Sequence, residues 1–338
     1  MQPSTISSWA LLVWQELKER GINPKPIFEE LELDPSRLSE NMARYKMEKM
    51  TKLWQRSLEL TEDPLFGIKV GERWSPTTFH ALGFAWLASS HLYDAFQRFS
   101  RYSRLLNDAL EIQVYKDSGD YRFSFGWIDA SQRCDVHYLA GEASMMACLK
   151  MCRMLLGDEF TPIEVNTRLK RSEATSELEN RFATTVHCNA EQSNWLISHF
   201  DMHKSLASGN EELAMMNENV ALKYLSTLDK TQVLPALQHA LLEALPSGEV
   251  SEHHIAEKLH MSSRTLQRKL EAEQLTFSSV LNELRKSMSR HYIENSHLSL
   301  TEITYLLGFS EQASFTRAFK RWYGQAPSKY QKECKQSA

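Results

Sequence analysis

The sequence predicts an α+β N-terminal domain, built of helices with a small sheet, and an all-α C-terminal domain with two helix-turn-helix units. Three observations lead to this fold class. The 338 residues are enough for two ordinary domains, each with its own core. Alternating β-forming stretches are confined to the middle of the chain, between helical segments. A near-duplicate helical pattern then recurs in the last ninety or so residues.

The composition is that of a globular protein: 42% of the residues are hydrophobic and 24% are charged. No apolar run approaches the ~20 residues that a membrane-spanning helix needs. The N-terminal stretch lacks the basic flank of a signal peptide, and its apolar residues Trp9, Leu12, Val13 and Leu17 recur at helical spacing. We therefore expect a cytoplasmic protein without a membrane partner.

The five cysteines have no framework spacing and are expected to be reduced thiols. Cys148 and Cys152 lie four residues apart on a predicted helix and could share one face. A zinc site there would need two further ligands that the sequence does not place nearby. We predict buried apolar roles for both thiols, and neither a metal site nor a cofactor.

The first part of the chain predicts short helices. The stretch "MEKMTKLWQRSLELTED" carries methionine, leucine and tryptophan at helical spacing, and "HLYDAFQRFSRYSRLL" does the same further along. The period then changes to two in "ALEIQVY" and "YRFSFGWI", which flank the hairpin loop "KDSGD". The stretch "DVHYLAGEASMMACLKMCRMLL" returns to helix, and three further strands are predicted at "IEVNTRL", "TTVHCN" and "NWLISHF".

Composition and pattern divide the chain into residues 1–207, a helical linker over 208–246, and a C-terminal domain over 247–333. Residues 247–338 hold 13 Lys and Arg against 10 Asp and Glu, a net charge of +3, whereas the rest of the chain carries −7. This asymmetry indicates different partners for the two parts. A charge of +3 permits contact with nucleic acid but does not establish it.

An internal repeat occupies the C-terminal domain. Ile255 and Leu259 recur 48 residues later as Ile303 and Leu307. Beyond Ser262 and Ser310, the matching residues lie 49 positions apart. Each copy therefore indicates helix, tight turn, helix, with one residue inserted in the second copy. The residues that should face inward on the second helix of each copy are Leu266 and Leu270, then Phe315 and Phe319.

The turns of the repeat have their own signals. Ser262 and Ser310 are the predicted N-caps of the second helices, because a serine hydroxyl can accept a hydrogen bond from a free amide of the first turn. Gly308 can adopt the positive φ that a sharp stop between helices requires. His260 holds the equivalent place in the first copy and is less suited to it.

The outer faces of the second helices are polar and basic. Arginine can form a bidentate hydrogen bond with the guanine edge and glutamine with adenine, while lysine and flanking arginine favour phosphates. The alternative is a helical hairpin whose basic face is only solvated. The repetition of the same pattern in two copies argues against this alternative. The candidate DNA-binding residues are Arg264, Gln267, Arg268, Lys269, Gln312, Ser314, Arg317, Lys320 and Arg321.

The run "LSLTEITYLLGFSEQASFTRAFKRWYGQAPSKY" resembles the DNA-binding domain of the AraC/XylS family of bacterial transcription factors, and the similarity covers about residues 247–332. Thr304 departs from the family, which usually has alanine there, and this raises the question of how tightly the two helices pack. Gln331 stands where arginine is common. Neither residue belongs to the predicted reading face.

The resemblance implies a sequence-specific transcriptional regulator, specifically an activator, with double-stranded promoter DNA and RNA polymerase as partners. It also implies a long helix over about residues 277–294 that joins the two units, whose recognition helices enter successive major grooves about 34 Å apart. The family's base-reading positions fall on Arg264, Gln267 and Arg268, then on Gln312, Ala313, Ser314 and Arg317. Arg268 and Arg317 are the strongest candidates, and Ala313 could meet only a thymine methyl group.

The front of the chain, from "MEKMTKLWQRSLELTEDPLFGIKVGER" to "FHALGFAWLASSHLYDAFQRFSRY", resembles the arabinose-binding-type domain of a subgroup that includes ornithine-utilisation regulators. This implies that residues 1–207 sense a small-molecule effector or dimerise. Phe84, Trp86, Trp127 and Tyr138 are candidate effector-binding residues, although aromatic side chains of this kind also build ordinary cores.

Three alternatives concern the partners and the chemistry. The helix over residues 213–225 could pair with its copy in a homodimer through Leu213, Met216, Val220 and Tyr224, or it could pack on its own domain. The front domain could also dimerise without any effector. An enzyme with a DNA-binding tail would need a nucleophile constellation, and the sequence has no Cys-x-x-Cys, Gly-x-Ser-x-Gly or phosphate loop. We therefore predict that the chain is not an enzyme.

Overall fold

A computed structural model describes residues 3–40, 42–127, 136–171, 173–228, 233–295 and 298–337. The chain divides into two compact units, Met1–Ala221 and Leu222–Ala338, called here the N-terminal unit and the C-terminal unit. The three-part division of the sequence analysis stays a prediction. Within the described residues, no helix is both long and apolar enough to cross a lipid bilayer.

The N-terminal unit is mainly helical, as the sequence predicts. Short 3₁₀ segments among the described residues, Pro35–Ser39, Pro76–Phe79 and Ser103–Leu105, connect its helices. The helices are α1 (Ser7–Glu19), α2 (Lys25–Glu30), α3 (Met47–Thr61), α4 (Phe66–Glu72), α5 (His80–Leu87), α6 (Leu92–Tyr102), α7 (Tyr138–Leu156), α8 (Glu173–Phe182), α9 (His199–His203) and α10 (Glu211–Leu228), the last of which continues into the C-terminal unit.

The described strands of the N-terminal unit are β1 (Ser4–Ile6), β2 (Arg44–Lys46), β3 (Leu110–Asp117), β4 (Asp120–Trp127), β5 (Glu164–Asn166), β6 (Val186–His187) and β7 (Ser193–Ile197). β1 and β2 form a separate pair, and the other five form one sheet that contains every predicted strand. The order of this sheet is β3-β4-β7-β5-β6, and all neighbours are antiparallel except β5 and β6. In the hairpin between β3 and β4, Ser118 (φ +52°) and Gly119 (φ +104°) form the two-residue turn, as the predicted loop requires.

Two glycines of α4 allow it to pack closely on α7. A Cβ atom added to Gly67 would lie 2.4 Å from the carbonyl oxygen of Leu139, and one added to Gly71 would lie 2.4 Å from that of Ala143. Backbone atoms cannot move aside as a flexible side chain can, so any larger residue would push the helices apart. This contact closes the core that α1, α3, α4 and α7 share.

A buried arginine joins α6 to the first half of α10. Arg98 is 7% exposed, and its guanidinium donates to Ser89 Oγ (Nη1 to Oγ, 2.9 Å) and to Glu218 (Nε to Oε1, 3.1 Å). Its Nη2 atom also contacts the Glu211 carboxylate. The four residues of α10 that could pair with a second copy are largely exposed: Leu213, Met216 and Val220 face solvent, while Tyr224 is half-buried.

The C-terminal unit is helical in its described residues. The helix that the sequence placed in the linker packs into this unit, because Leu237 and Leu241 share a core with Ile255, Leu266 and Leu270. The long connecting helix is present and agrees closely with its predicted bounds. The helices are α11 (Leu234–Ala244), α12 (Glu252–Lys258), α13 (Ser263–Ala272), α14 (Phe277–Asn295), α15 (Leu300–Leu306), α16 (Gln312–Tyr323) and α17 (Pro327–Ser337).

Candidate DNA-binding surface and ligand cavity

The first helix-turn-helix unit consists of α12 and α13. His260 has φ +55°, so it adopts the left-handed backbone of the turn although histidine is less suited to this conformation than glycine. Ser262 is the N-cap of α13, as predicted, and its hydroxyl accepts a hydrogen bond from the Thr265 amide (3.2 Å). Leu266 and Leu270 are buried, so the opposite face of α13 is outside.

The second unit consists of α15 and α16. Ser299 caps α15 through a capping box with Glu302, and Gly308 has φ +65°, as predicted. A Cβ atom at Gly308 would also lie 2.9 Å from the carbonyl oxygen of Leu245, so glycine is required for both its backbone angle and its small size. Phe315 and Phe319 are fully buried, which confirms the predicted inner face of α16.

The predicted N-cap of α16 is wrong. Ser310 does not cap this helix: Glu311 is the N-cap, and its side chain makes no capping hydrogen bond. The residue inserted in the second copy moves the helix start by one position. The Glu311 carboxylate instead accepts a hydrogen bond from Ser314 Oγ (3.0 Å) and lies 3.5 Å from Arg317 Nη2.

Thr304 fits the tight contact between α15 and α16 despite its hydroxyl. It is 1% exposed, and its Oγ1 donates to the carbonyl oxygen of Leu300 one turn earlier (2.6 Å). A buried hydroxyl costs free energy only when it is unpaired, and this one is paired within its own helix. The departure from alanine therefore leaves no unsatisfied polar atom at the helix contact.

The predicted reading face is accessible on both second helices. Lys269 and Ser314 are half-buried, and Lys269 has an interaction partner. Arg317 is 71% exposed along its side chain and donates to Ser314 Oγ (Nη2 to Oγ, 2.9 Å). The role of these residues in DNA binding stays a prediction. The exposed residues of the two faces are Arg264, Gln267, Arg268, Gln312, Ala313, Arg317, Lys320 and Arg321.

Arg285 on α14 fixes the turn of the second unit, and the sequence analysis missed it. Its guanidinium donates to the carbonyl oxygens of Leu307 (Nε to O, 2.8 Å) and Gly308 (Nη2 to O, 2.7 Å) and lies 4.2 Å from the ring centre of Phe309. Burial lowers the pKa of Arg285. The contact joins residues more than twenty positions apart, so helical periodicity carries no signal for it.

The N-terminal unit contains a cavity of about 830 Å³. Of the four aromatic residues predicted to bind an effector, Tyr138 lines it. Trp86 is fully buried and donates its indole N–H to the carbonyl oxygen of Met151 (3.0 Å), and Phe84 is 44% exposed; neither lines the cavity. Trp127 ends β4, and its side chain lies outside the described part of the chain. The structure therefore does not bring this set together.

The residues that line the cavity come from distant parts of the sequence, namely α1, α3, α7, β1, β3, β4, β7 and the loops before β3, before α7 and after β5. Sequence reasoning missed nearly all of them. The lining residues are Thr5, Trp9, Met47, Met50, Thr51, Trp54, Asn107, Leu110, Phe125, Gly126, Val136, His137, Tyr138, Ala140, Gly141, Ser144, Met145, Thr167, Arg168, Leu169, Lys170 and Ser193.

One carboxyl group of α7 is buried in the N-terminal unit. Glu142 is 1% exposed, and its Oε2 has no hydrogen-bond partner among the described residues. Burial raises the pKa of Glu142 to about 8, because the ionised form loses its hydration. The group is therefore protonated in the folded protein at pH values where it is ionised in the unfolded chain.

Glu142→Gln is expected to flatten the pH dependence of stability. Because the folded-state pKa is raised, the wild-type free energy of unfolding is highest below the ordinary pKa of 4.5 and falls as the pH rises toward about 8. Between pH 5.5 and 7.5 the wild type should lose about 2 kcal/mol more than the variant. Urea unfolding at both pH values measures this. The exposed Glu191→Gln serves as control, and equal slopes for Glu142→Gln and wild type would contradict the assignment.

Two family descriptions match the chain. "Arabinose-binding domain of AraC transcription regulator, N-term" matches residues 21–205, more than half of the chain, and "Helix-turn-helix domain" matches residues 255–333. The chain belongs to the AraC/XylS family of transcription regulators. The two matches fall on the cavity-bearing unit and on the repeat of α12 to α16, respectively.

Relatives of this AraC-type regulator are similar over nearly their full length. The ornithine utilization regulator of Pseudomonas aeruginosa is 27% identical, with 92% of this chain and 91% of the relative covered. The regulator VirS of Mycobacterium tuberculosis is 23% identical, with 93% and 92% covered. The crystal structure of the transcriptional regulator CdpR from P. aeruginosa has a TM-score of 0.51 at 18% identity, covering 95% of this chain and 96% of that one, and supports the fold.

These findings establish a DNA-binding transcriptional regulator. The matched families and the relatives are regulators rather than enzymes, as the sequence predicts. The helix-turn-helix domain implies DNA as a partner, and the arabinose-binding domain implies a small-molecule effector.

Proposed function

We propose that this chain is a transcription activator that binds a promoter operator through α13 and α16 under the control of a small molecule held in the N-terminal unit. One observation carries the proposal. In both helix-turn-helix units, the second helix buries an apolar face and leaves arginine and glutamine side chains exposed on the other. Such side chains match the hydrogen-bonding pattern of base edges in the major groove.

The exposed side chains divide into two proposed roles. Arg264, Gln267 and Arg268 on α13, with Gln312 and Arg317 on α16, are the proposed readers of base edges. Ser314 accepts a hydrogen bond from Arg317 and orients it. The remaining cations are proposed to contact phosphates, which sets the position of the protein on the duplex rather than the sequence it selects. These are Lys269, Lys320 and Arg321.

The exposed face of α10 supports a homodimer. Leu213, Met216 and Val220 follow at intervals of three and four residues, so they lie along one face of the helix, and all are exposed. A second copy of the chain is the proposed partner for this face.

Met216→Glu should then shift the protein toward monomer in sedimentation velocity, and an unchanged distribution would remove α10 from the contact. RNA polymerase is the proposed further partner of an activator.

The selection of operators from random duplexes by the full-length chain tests the DNA-binding role. Two recognition helices in successive major grooves should select two conserved blocks about 10 bp apart from centre to centre. A reporter that carries the selected site then distinguishes activation from repression. Selection of one block only, or of no preferred sequence, would contradict the proposed pair of reading helices.

Native mass spectrometry of the purified chain tests the effector. A retained small molecule, or a rise in melting temperature when one is added, supports effector control, because a ligand of the native state stabilises it. A dimer that binds its operator and shows no ligand effect would favour the alternative, a regulator that dimerises without an effector. The exposed face of α10 is the observation that favours this alternative.

A further inference from the structure

The cavity of the N-terminal unit is walled mainly by apolar side chains. Met47, Met50, Trp54 and Met145 are buried at its walls, which gives a flexible and polarisable lining beside a large aromatic surface. Its volume of about 830 Å³ falls in the range of small-molecule sites, roughly 300–1,000 Å³. The other apolar lining residues include Trp9, Leu110, Phe125 and Leu169. The body of a ligand that fills this space must be apolar.

Most polar groups of the lining are already engaged with the local backbone. Thr167 Oγ1 accepts from the Leu169 amide (3.2 Å), and Ser193 Oγ accepts from the Arg168 amide (3.1 Å). Ser144 Oγ donates to the carbonyl oxygen of Ala140 (2.8 Å), and Asn107 Oδ1 accepts from the Ala109 amide (3.0 Å). These bonds hold the wall together, so a hydroxyl-rich ligand such as a sugar would find few free partners among these groups.

Two cationic side chains of the lining differ from these polar groups, because they are not bonded to the local backbone. Arg168 and Lys170 line the cavity and are exposed, so they lie where it meets solvent. Both follow β5 and stand two residues apart. Neither side chain has an ion-pair or hydrogen-bond partner in the described part of the chain, and the described lining residues include no aspartate or glutamate. Among these residues, the two cations give the mouth of the cavity a positive potential.

We propose that this cavity binds an amphipathic monocarboxylate, with its apolar chain along the methionine and tryptophan walls and its carboxylate on Arg168 and Lys170. The inference rests on the proposed effector role of the N-terminal unit and names the chemical class of the effector. Charge-assisted hydrogen bonds from arginine and lysine to a carboxylate are stronger than neutral ones, and they form here beside an apolar surface. An uncharged or cationic molecule of the same shape would fill the cavity but would not pair with the two cations.

The probe is decanoate, compared with decan-1-ol and decyltrimethylammonium, all below their micelle concentrations. Calorimetry with the full-length chain should give decanoate an affinity at least about tenfold above that of decan-1-ol, with the cationic probe weakest. Shortening the carboxylate should weaken binding by about fourfold per CH₂ that leaves the apolar wall. Equal affinities for the acid and the alcohol, or no binding of any probe, would overturn the proposal.

Variants locate the bound probe. Arg168→Gln/Lys170→Gln should lower decanoate affinity about tenfold or more and leave decan-1-ol unchanged, whereas Arg171→Gln, an exposed neighbour that does not line the cavity, should change neither. Ser144→Trp, at an exposed lining position, should weaken both probes by filling the cavity. Decanoate binding that survives both changes would refute the site. Operator selection is carried out without decanoate, so failure here and failure of the proposed DNA binding are separate results.

Discussion

Arg268→Ala and Arg317→Ala should each weaken binding to the selected operator by about 1–3 kcal/mol, roughly 5- to 150-fold, and relax the base preference at one position each. The physical reason is the loss of a planar, bidentate donor from an exposed position of α13 or α16. Fluorescence anisotropy with the operator and with a scrambled duplex, at one fixed salt concentration, measures the effect.

The comparison of specific with scrambled DNA makes this test decisive. A base-reading arginine loses mainly specific affinity, whereas a phosphate contact loses affinity for both duplexes about equally. Lys332→Ala removes an exposed cation of α17 and is the charge control. Arg317→Lys keeps the charge but not the fork geometry, so it should also lose specificity. Equal losses on both duplexes would move Arg268 and Arg317 to the phosphate-contacting set.

Arg98→Leu should destabilise the N-terminal unit by about 3–5 kcal/mol, because it leaves Glu211 and Glu218 on α10 without their buried partner. Seven of the eight tryptophans lie before residue 222, so urea unfolding followed by tryptophan fluorescence reports mainly on this unit.

Two further variants separate charge from packing at Arg98. Adding Glu211→Gln and Glu218→Gln to Arg98→Leu should recover part of the loss, since the two carboxylates that Arg98 contacts are then replaced by neutral amides. Arg56→Leu removes exposed ion pairs with Glu30 and Glu59 and should cost far less than Arg98→Leu, because solvent screens both pairs. If Arg98→Leu costs no more than Arg56→Leu, the buried contact to α10 is not a stabilising one.

The C-terminal domain shows how far the sequence alone can reach. Helical spacing predicts that Leu266, Leu270, Phe315 and Phe319 face inward, and the turn pattern predicts a positive φ at Gly308; the structure confirms all five. Helix periodicity and turn chemistry act over a few residues, so the sequence displays them directly. The same local signal failed at Ser310, because an inserted residue shifts the start of α16 by one position.

The cavity shows the opposite case. Residue type alone suggests four aromatic effector contacts, but of these Tyr138 lines the cavity, Trp86 belongs to the core and Phe84 lies at the surface. Residue type does not distinguish a wall from a core, because both are apolar and both are buried. The cations at the mouth, Arg168 and Lys170, carry no local signal at all.

The architecture, the family and the faces of α13 and α16 can be predicted from the sequence, since they depend on spacing within single helices and on one internal repeat. The position of the cavity, the contact of Arg285 with the turn at Gly308 and the contact of Arg98 with α10 emerge only in the folded chain. Each of these depends on side chains that meet across more than about twenty residues of sequence. Contacts of that kind are set by the packing of whole elements, which no local pattern records.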